Sequence, residues 1–375
     1  MGPNHATPGR LRIPTLDGWR AVAISLVLLG HASDEIARAA AGWGLRAQVP
    51  PEIGLFGVQV FFAISGYLIT TNLLEEEQAR GDASLASFYV RRAFRILPAA
   101  CVFLLVIAGL TALGVLDVTP SRWLATLFLL ANYTEAPSSW YLGHFWSLAI
   151  EEHFYLVWPL LFVLLARPLR RLRFAALAVL AVWLWRAIAF KYHLTWSSIP
   201  SFWARTDLQV DGILCGVTLA VARRMPAARE RLDRLLAQPI ALPVLALAIA
   251  ALDVIAARGW KSAMAAASLR SAVLPLLILC TVLRPRGTVG RLLETRAARW
   301  LGAISYSLYL WQQLFLVWDA ARAPLLKPLQ NFPLGLVAAL ACAWASFTFV
   351  ERPLIALGRR WSESSLPRAA PAAPR

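Results

Sequence analysis

Charged residues and cysteines are both scarce in this chain of 375 residues. Asp, Glu, Lys and Arg make up only 15% of it, whereas hydrophobic residues make up 59% and the mean hydropathy is +0.59. This composition excludes an ordinary soluble domain. The cysteines lie in apolar runs without the spacing of a metal or redox site, so we expect neither disulfides nor a bound metal and interpret them as small core residues: Cys101, Cys215, Cys280 and Cys342.

Much of the chain consists of long apolar runs. Several approach the ~20 residues that a helix needs to span a bilayer, and together they predict an all-α, polytopic membrane helix bundle of about 10 transmembrane helices. The runs cover residues 20–36, 53–74, 97–116, 145–166, 174–190, 205–222, 239–257, 271–283, 301–320 and 333–350. Residues 122–132 are apolar but short for a crossing, so we interpret them as a re-entrant or interfacial segment.

Acidic residues are outnumbered by basic ones, 21 against 37, which gives a formal net charge of +16. The basic residues fall between the apolar runs rather than on one soluble face, so we expect no nucleic-acid partner. Most of them lie in alternate loops, and the positive-inside rule then places both termini in the cytoplasm. We expect one membrane domain over residues 1–360, followed by a disordered cytoplasmic tail over residues 361–375.

The first apolar run, LDGWRAVAISLVLLGH, carries two ionisable groups, Arg20 and His31. A helix would separate them by about 16 Å along its axis. Because an ionisable group in a membrane helix is costly, both are candidate functional residues. Asp34 and Glu35 follow His31 at i+3 and i+4, and a carboxylate there is predicted to orient the imidazole. The alternative is a neutral histidine that only satisfies a polar contact in the bundle.

Three arginines precede the third apolar run, in the segment FYVRRAFRILP. Arg92 and Arg95 share a helix face at i,i+3 spacing, and Arg91 lies beside them. Guanidinium groups that project together suit phosphate oxygens, so the cluster predicts a site for an anionic nucleotide cofactor at the cytoplasmic mouth of a span. The alternative is a basic cluster that only sets topology or contacts anionic lipid.

Two carboxylates interrupt the fourth apolar run, in WSLAIEEHFYLVWPL. On a helix Glu151 shares a stripe with Ser147 and Tyr155, whereas Glu152 shares one with leucines. We therefore expect Glu151 to face the bundle interior, where a carboxyl group could transfer protons or hydrogen-bond a hydroxylic substrate. The alternative is that the helix begins at the membrane interface and that both carboxylates lie in the water on the outer side.

Two later runs also begin with polar groups. Asp207 and Asp211 are predicted to share a helix face at i,i+4 spacing, and an ion pair of Arg205 with one of them would leave the other to contact substrate. In ISYSLYLWQQ, Tyr306 and Tyr309 precede two glutamines. For these tyrosines we favour hydrogen bonds between helices over cavity lining.

Taken together, these segments resemble the integral-membrane acyltransferase family 3, which includes O-acetyltransferases of bacterial surface polysaccharides and peptidoglycan. The resemblance covers nearly the whole chain. It rests mainly on LDGWRAVAISLVLLGH, GVQVFFAISGYLIT, FYVRRAFRILP and WSLAIEEHFYLVWPL, with weaker support from RTDLQVDG, ISYSLYLW and VERPL. The set of motifs in this order, rather than any one of them, carries the resemblance.

The resemblance implies transfer of an acyl group, usually acetyl, from cytoplasmic acyl-CoA to a hydroxyl of a glycan or glycosylated small-molecule acceptor, in the bacterial cytoplasmic membrane. Acyl-CoA would be a co-substrate, with no permanently bound cofactor, and membrane lipid would surround the bundle. His31 matches the family's essential histidine and Arg20 its partner in the same helix. Arg92 and Arg95 match the arginine pair linked to the donor, and Glu151 matches the acid of WSLxxE.

Two positions depart from the family pattern, because Gln312 stands where a histidine is frequent and Gln59 where an acid is frequent. The mechanism stays open at this point. His31 could act as a general base on the acceptor hydroxyl, or the acyl group could pass through a covalent intermediate on His31 or Ser65. The alternatives in other functional classes are a transporter or flippase for a lipid-linked glycan, and a sensor or scaffold.

Overall fold

The computed structural model describes residues 13–42, 49–50, 52–134, 140–192, 204–317 and 321–364. Within these ranges the chain is helical and contains no strand, which confirms the all-α prediction. The α-helices are α1 (Pro14–His31), α2 (Ser33–Gly42), α3 (Glu52–Arg80), α4 (Leu85–Ala112), α5 (Pro120–Leu127), α6 (Phe145–Leu165), α7 (Pro168–Lys191), α8 (Thr206–Gln209), α9 (Asp211–Ala222), α10 (Pro226–Leu236), α11 (Ala241–Ala256), α12 (Trp260–Leu283), α13 (Thr288–Leu293), α14 (Arg296–Ala303), α15 (Ser305–Phe315), α16 (Leu334–Ser346) and α17 (Arg352–Ser364).

Six stretches of the described chain are helical, long and apolar enough to cross a membrane, so the predicted number of about ten spans is not confirmed. They are Glu52–Arg80, Leu85–Ala112, Trp140–Leu165, Pro168–Lys191, Lys261–Leu283 and Leu334–Glu363. The last one includes a π-helical turn, Phe347–Glu351, between α16 and α17. Helices α10 and α11 meet at a bend of 84° and would make a seventh crossing as one broken span.

Several predicted spans fall on shorter helices. The run 301–320 is divided at Ile304 into the end of α14 and the 11-residue α15, and the run 205–222 is divided between α8 and the 12-residue α9. Apolarity alone does not reveal such breaks, because a short helix buried among longer ones has the same composition as part of a spanning helix.

The basic segment before the third apolar run is helical rather than a loop. Helix α3 continues to Arg80, and α4 begins at Leu85, where the Ser84 side chain accepts a hydrogen bond from the Ser87 amide at 3.3 Å. This serine cap satisfies one of the free amides of the first turn. The arginines that follow are therefore held on a rigid helix that leads into the bundle.

The segment 122–132 does not form a crossing helix, in agreement with its short length. Helix α5 covers eight residues, and the chain then turns at Leu129, whose φ is +60°. Arg122 is buried and donates hydrogen bonds to the carbonyls of Ala131 at 3.2 Å and Leu142 at 3.0 Å. These bonds tie the segment to the chain just before α6.

Helix α3 lies at the centre of the bundle, with 67% of its most apolar window buried. It runs antiparallel to α1, since a Cβ atom added at Gly57 would lie 2.5 Å from the Ala23 carbonyl oxygen, and one at Gly54 would lie 3.7 Å from the Gly30 Cα. Helices α3 and α9 cross at Gly66, where a Cβ atom would overlap the Ile213 carbonyl. Small residues permit this close approach of two backbones.

Two of the four cysteines agree with the core interpretation. Cys215 and Cys280 are buried, whereas Cys342 is half-buried and Cys101 is exposed on α4; none of the four forms a disulfide. At the other end of the chain, α17 continues to Ser364, and the rest of the segment predicted as a tail lies outside the described residues.

We expect Gly66→Ala to destabilise the bundle, because the new methyl group must separate α3 from α9. Overpacking of this kind costs about 1–3 kcal/mol. Gly109→Ala is the matched control, since a Cβ atom there has no neighbour within 4 Å. Thermal unfolding of both variants in detergent measures the difference, and equal unfolding temperatures would contradict the close crossing.

Candidate active site

A cavity of about 90 Å³ opens between α1, α3, α4, α6 and α15. A cavity of this size holds several water molecules or a small ligand group. Its walls are polar where charged and hydroxyl groups from five helices converge. Seven of the residues predicted from the sequence line it: Arg20, Arg92, Arg95, Glu151, Glu152, Tyr306 and Tyr309.

Arg92 and Arg95 face this cavity from α4, as their i,i+3 spacing predicts. The Arg92 guanidinium lies 4.6 Å above the ring of Tyr155, a distance typical of a cation–π contact. Across the described ranges neither arginine has a hydrogen bond or an ion pair with another residue. Arg20, by contrast, donates to Asp17 at 2.8 Å. Two guanidiniums thus face the cavity with their donor groups available to an anion.

Arg91 does not join this pair. Its guanidinium donates to Glu76 at 2.7 Å, and it does not line the cavity. Arg91 stands at i,i+4 to Arg95, so helical spacing alone does not exclude it from the pair. The reason is its ion pair with Glu76 of α3, which holds the guanidinium away from the cavity. The prediction that Arg91 acts with Arg92 and Arg95 is therefore wrong in its geometry.

The Glu151 carboxylate is held at the cavity wall by a hydroxyl group. Ser65 donates to it at 2.7 Å, and the Tyr155 hydroxyl donates to Ser65 at 3.4 Å. The stripe of Ser147, Glu151 and Tyr155 lines the cavity, as the sequence predicts for the inner face of α6. Glu152 also lines the cavity, although it shares its helix stripe with leucines. The positions of the two carboxylates therefore differ less than the sequence predicts.

His31 lies beyond the cavity wall, at the end of α1. Its Nδ1 atom lies 2.6 Å from Oε1 of Gln312 on α15, and its ring packs edge-to-face on Trp140 with 5.1 Å between ring centroids. The partner of the imidazole is thus one of the two residues that depart from the pattern of the family that the chain resembles.

The prediction that Asp34 or Glu35 orients His31 is wrong. Helix α1 ends at His31, with Ala32 as its C-cap, so the following residues belong to α2 and do not continue the same face. Asp34 is exposed, and Glu35 forms ion pairs with Arg38, at 2.6 Å, and with Arg322. Spacing at i+3 and i+4 places side chains together only within one continuous helix.

A partner on the neighbouring helix α7 corrects the prediction for Asp211. Both carboxylates turn toward α7, where Asp207 accepts a hydrogen bond from Trp185 and Asp211 accepts one from Trp183. Asp211 is 2% exposed and forms an ion pair at 2.6 Å with Arg186 of α7, which is equally buried. It is therefore not left over for a substrate.

Arg205 and Asp207 do form the predicted ion pair, at 2.8 Å, near the end of α7. The Asp207 carboxylate also accepts a hydrogen bond from Trp185 at 2.7 Å. Burial alone would raise the pKa of Asp207, but the hydrogen bonds from Arg205 and Trp185 hold it below its ordinary value. The pair joins α7 to α8 and lies outside the cavity lining.

The two tyrosines of α15 both bridge helices and line the cavity. Tyr306 donates to the Ile96 carbonyl at 2.9 Å, and the Tyr309 hydroxyl lies 2.5 Å from the Ser147 hydroxyl. The alternatives of interhelical bonding and cavity lining are therefore compatible.

Comparison with known proteins identifies the family. The profile described as "Acyltransferase domain" matches residues 13–348, which is most of the chain and all of the cavity. The chain belongs to this acyltransferase family. The resemblance drawn from its motifs is therefore confirmed. No solved structure shows a significant match to it.

Curated bacterial proteins of the same family align with nearly the whole chain. A Bacillus subtilis protein named "Putative peptidoglycan O-acetyltransferase YrhL" is 29% identical over 95% of this chain and 57% of its own length. The peptidoglycan O-acetyltransferase OatA of Listeria monocytogenes is 24% identical over 92% of this chain and 56% of its own length. The chain thus spans less than two thirds of these relatives.

Sequence reasoning missed two buried groups of this acyltransferase near its cavity. His144 is 3% exposed, its ring lies 5.5 Å from that of Tyr309, and neither ring nitrogen has a hydrogen-bond partner in the part of the chain that the structure describes. Glu351, on the π-helical turn, accepts a hydrogen bond from Ser307. The position of His144 just before WSLAIEE and that of Glu351 in VERPL were the available signals.

We expect Asp211→Asn to destabilise the acyltransferase far more than Asp207→Asn, because it leaves the buried Arg186 without its counter-charge. Breaking a buried pair costs about 3–5 kcal/mol, and a surface pair about 0–1 kcal/mol. Thermal unfolding in detergent measures both variants. An Asp211→Asn variant that keeps its stability but loses activity would instead indicate a role in substrate binding.

Proposed function

We propose that the chain is a membrane-embedded O-acyltransferase that moves an acyl group, with acetyl as the favoured one, from cytoplasmic acyl-CoA to a hydroxyl of a glycan or glycosylated acceptor. The observation that carries this proposal is the pair of arginines, Arg92 and Arg95, that face the cavity without a hydrogen bond or an ion pair among the described residues. Membership of the acyltransferase family and the names of the O-acetyltransferase relatives support it.

The arginine pair suits the phosphate groups of the donor. Guanidinium groups bind phosphate oxygens through charge-assisted hydrogen bonds, often two at a time. A bound phosphate would also supply the hydrogen-bond acceptors that the two guanidiniums lack among the described residues. Arg20 lines the same cavity from α1 and is proposed to guide the pantetheine arm or polarise the donor.

The positions of Ser65 and His31 along the bundle favour direct transfer over a covalent intermediate on Ser65. Gly57 on α3 is level with Ala23 on the antiparallel α1. Ser65 is eight residues after Gly57, and His31 is eight residues after Ala23. Because the two helices are antiparallel, Ser65 and His31 lie on opposite sides of this level. At 1.5 Å per residue their Cα atoms differ in depth by on the order of 20 Å. An acyl group on Ser65 would be too far from an acceptor held at His31.

The proposed chemistry needs one base and one leaving group. The free ring nitrogen of His31 takes the proton from the acceptor hydroxyl as the hydroxyl oxygen attacks the thioester carbonyl. The carbon–sulfur bond then breaks, the acyl group stays on the acceptor oxygen, and the CoA thiolate leaves and takes up a proton. Glu151, nearer the donor arginines, is proposed to hydrogen-bond the donor.

The membrane arrangement follows from the same account. The helices long and apolar enough to cross a bilayer make this a membrane protein. We propose that it lies in the bacterial cytoplasmic membrane with both termini in the cytoplasm, because the basic loops and the arginine pair would then face the acyl-CoA pool. A transporter for a lipid-linked glycan is not favoured, since the family match is to an acyltransferase domain.

The first experiment is transfer of labelled acetyl from acetyl-CoA in membranes that contain the protein, with extracted cell-envelope glycans as acceptors. We expect His31→Gln to lower the rate by about 10²–10⁴-fold, because it removes the general base. His153→Gln is the matched control. His153 lies two residues from Glu151 on α6 and hydrogen-bonds Thr206 at 2.8 Å rather than facing the cavity.

The outcomes separate the functional classes. Label in a glycan that disappears in His31→Gln and persists in His153→Gln supports the proposed reaction. Equal transfer by His31→Gln and the wild-type protein would exclude His31 as the base. No transfer from any acyl-CoA, together with altered glycan export on deletion, would support the transporter instead.

A further inference from the structure

A chain of hydrogen bonds connects the His31 imidazole to the backbone. It begins at the Trp140 carbonyl, which accepts from Nε2 of Gln313 at 2.6 Å. A carbonyl oxygen can only accept, so the atom of Gln313 that faces it must be the amide nitrogen. The carbonyl thereby determines which way round the Gln313 amide lies, and its Oε1 atom must point elsewhere.

The same reasoning determines the orientation of Gln312. Oε1 of Gln313 accepts a hydrogen bond from Nε2 of Gln312 at 3.0 Å. The Nε2 atom of Gln312 also faces the Tyr309 carbonyl, at 3.4 Å, which is a second group that can only accept. Two independent acceptors therefore place the amide nitrogen of Gln312 on this side and its oxygen on the other.

The oxygen of Gln312 faces Nδ1 of His31 at 2.6 Å. Because an amide oxygen has no hydrogen to donate, a hydrogen bond at this distance requires that Nδ1 carry the proton. In a neutral imidazole the other nitrogen, Nε2, then has the free lone pair.

We propose that Gln312 and Gln313 are positioning residues that hold His31 in its Nδ1–H tautomer, so that Nε2 is the nitrogen that acts as the base. The role as a base rests on the proposed function, whereas the tautomer follows from the hydrogen bonds alone. Both glutamines are buried, at 0% and 2% exposure, so water does not compete with the chain.

A neutral amide differs from the carboxylate that the sequence predicts beside His31. A carboxylate would fix the tautomer and also stabilise the protonated ring. Gln312 fixes the tautomer without adding a negative charge, but only while its own amide is held the right way round. Gln313 supplies most of that constraint, because its contact with the Gln312 amide nitrogen, at 3.0 Å, is shorter than that of the Tyr309 carbonyl, at 3.4 Å. With the longer contact alone, the Gln312 amide could rotate by 180° and offer its nitrogen to His31.

The test is nitrogen-15 NMR of the full chain in lipid nanodiscs, with labelled histidine and at a pH where the imidazoles are neutral. The chain has five histidines, and the difference spectrum against His31→Gln assigns the His31 signals. The chemical shifts distinguish a protonated ring nitrogen from an unprotonated one. The wild-type protein should show His31 with Nδ1 protonated and Nε2 unprotonated.

Two variants separate a positioning role from a general structural one. Gln313→Leu should give a mixture of His31 tautomers and lower kcat by about 10- to 100-fold with the KM for acetyl-CoA unchanged. Adding Gln312→Glu to it should restore the Nδ1–H tautomer, because both atoms of a carboxylate accept. Gln209→Leu is the control, since Gln209 is also buried but lies on α8, away from this chain of bonds.

An Nε2–H tautomer in the wild-type protein would overturn the inference. So would a Gln313→Leu variant whose tautomer and kcat equal those of Gln209→Leu. Failure of the proposed function would appear differently, as an absence of acyl transfer by the wild-type protein with the expected tautomer still present in the spectrum.

Discussion

A guanidinium group among membrane helices is stable only if an anion or a set of carbonyls faces it, and this constraint organises the whole bundle. Arg171 of α7 donates both of its terminal nitrogens to Glu77 of α3, at 2.7 Å each. Arg186 meets Asp211, and Arg122, at the start of α5, meets backbone carbonyls. Each of these groups joins helices or fixes a loop. Arg92 and Arg95 differ from them, because among the described residues neither has a hydrogen bond or an ion pair, and both line the cavity.

The site divides into two levels along the helices. The arginine pair, Glu151 and Ser65 surround the cavity, whereas His31 lies at the end of α1 with Gln312 as its partner. A donor with phosphates at one level and a reacting thioester at the other needs a long, narrow connection, and the pantetheine arm of CoA has that form. The separation of levels therefore agrees with the proposed direct transfer to an acceptor at His31.

Residues within one long helix could be predicted from the sequence, and contacts across helix breaks could not. The stripe of Ser147, Glu151 and Tyr155 and the pairing of Arg92 with Arg95 follow from the period of a continuous helix. The predicted partners of His31 failed because α1 ends there, and the leftover role of Asp211 failed because Arg186, on another helix, pairs with it. Gly30 precedes His31 and Gly212 follows Asp211, but the continuous helix α3 contains glycines as well, so a glycine alone does not mark the end of a helix.

Contacts between residues that are distant in sequence could not be predicted either. Gln312 is 281 positions from His31, and Arg186 is 25 positions from Asp211. A single sequence contains no information on which of several polar groups will meet across a bundle, because many pairings satisfy the same hydrophobic pattern. Ionisable groups in apolar runs and their helical spacing supplied the set of candidate residues, the family resemblance agreed with it, and the structure supplied their connections.

The most direct test of the account is a cryo-electron microscopy structure of the protein in nanodiscs with acetonyl-CoA, a thioether analogue that cannot transfer its acyl group. The account predicts density for the phosphates at Arg92 and Arg95, with the carbonyl end of the arm near His31. Phosphates bound elsewhere, or a carbonyl end that stops beside Ser65 and Glu151, would contradict it.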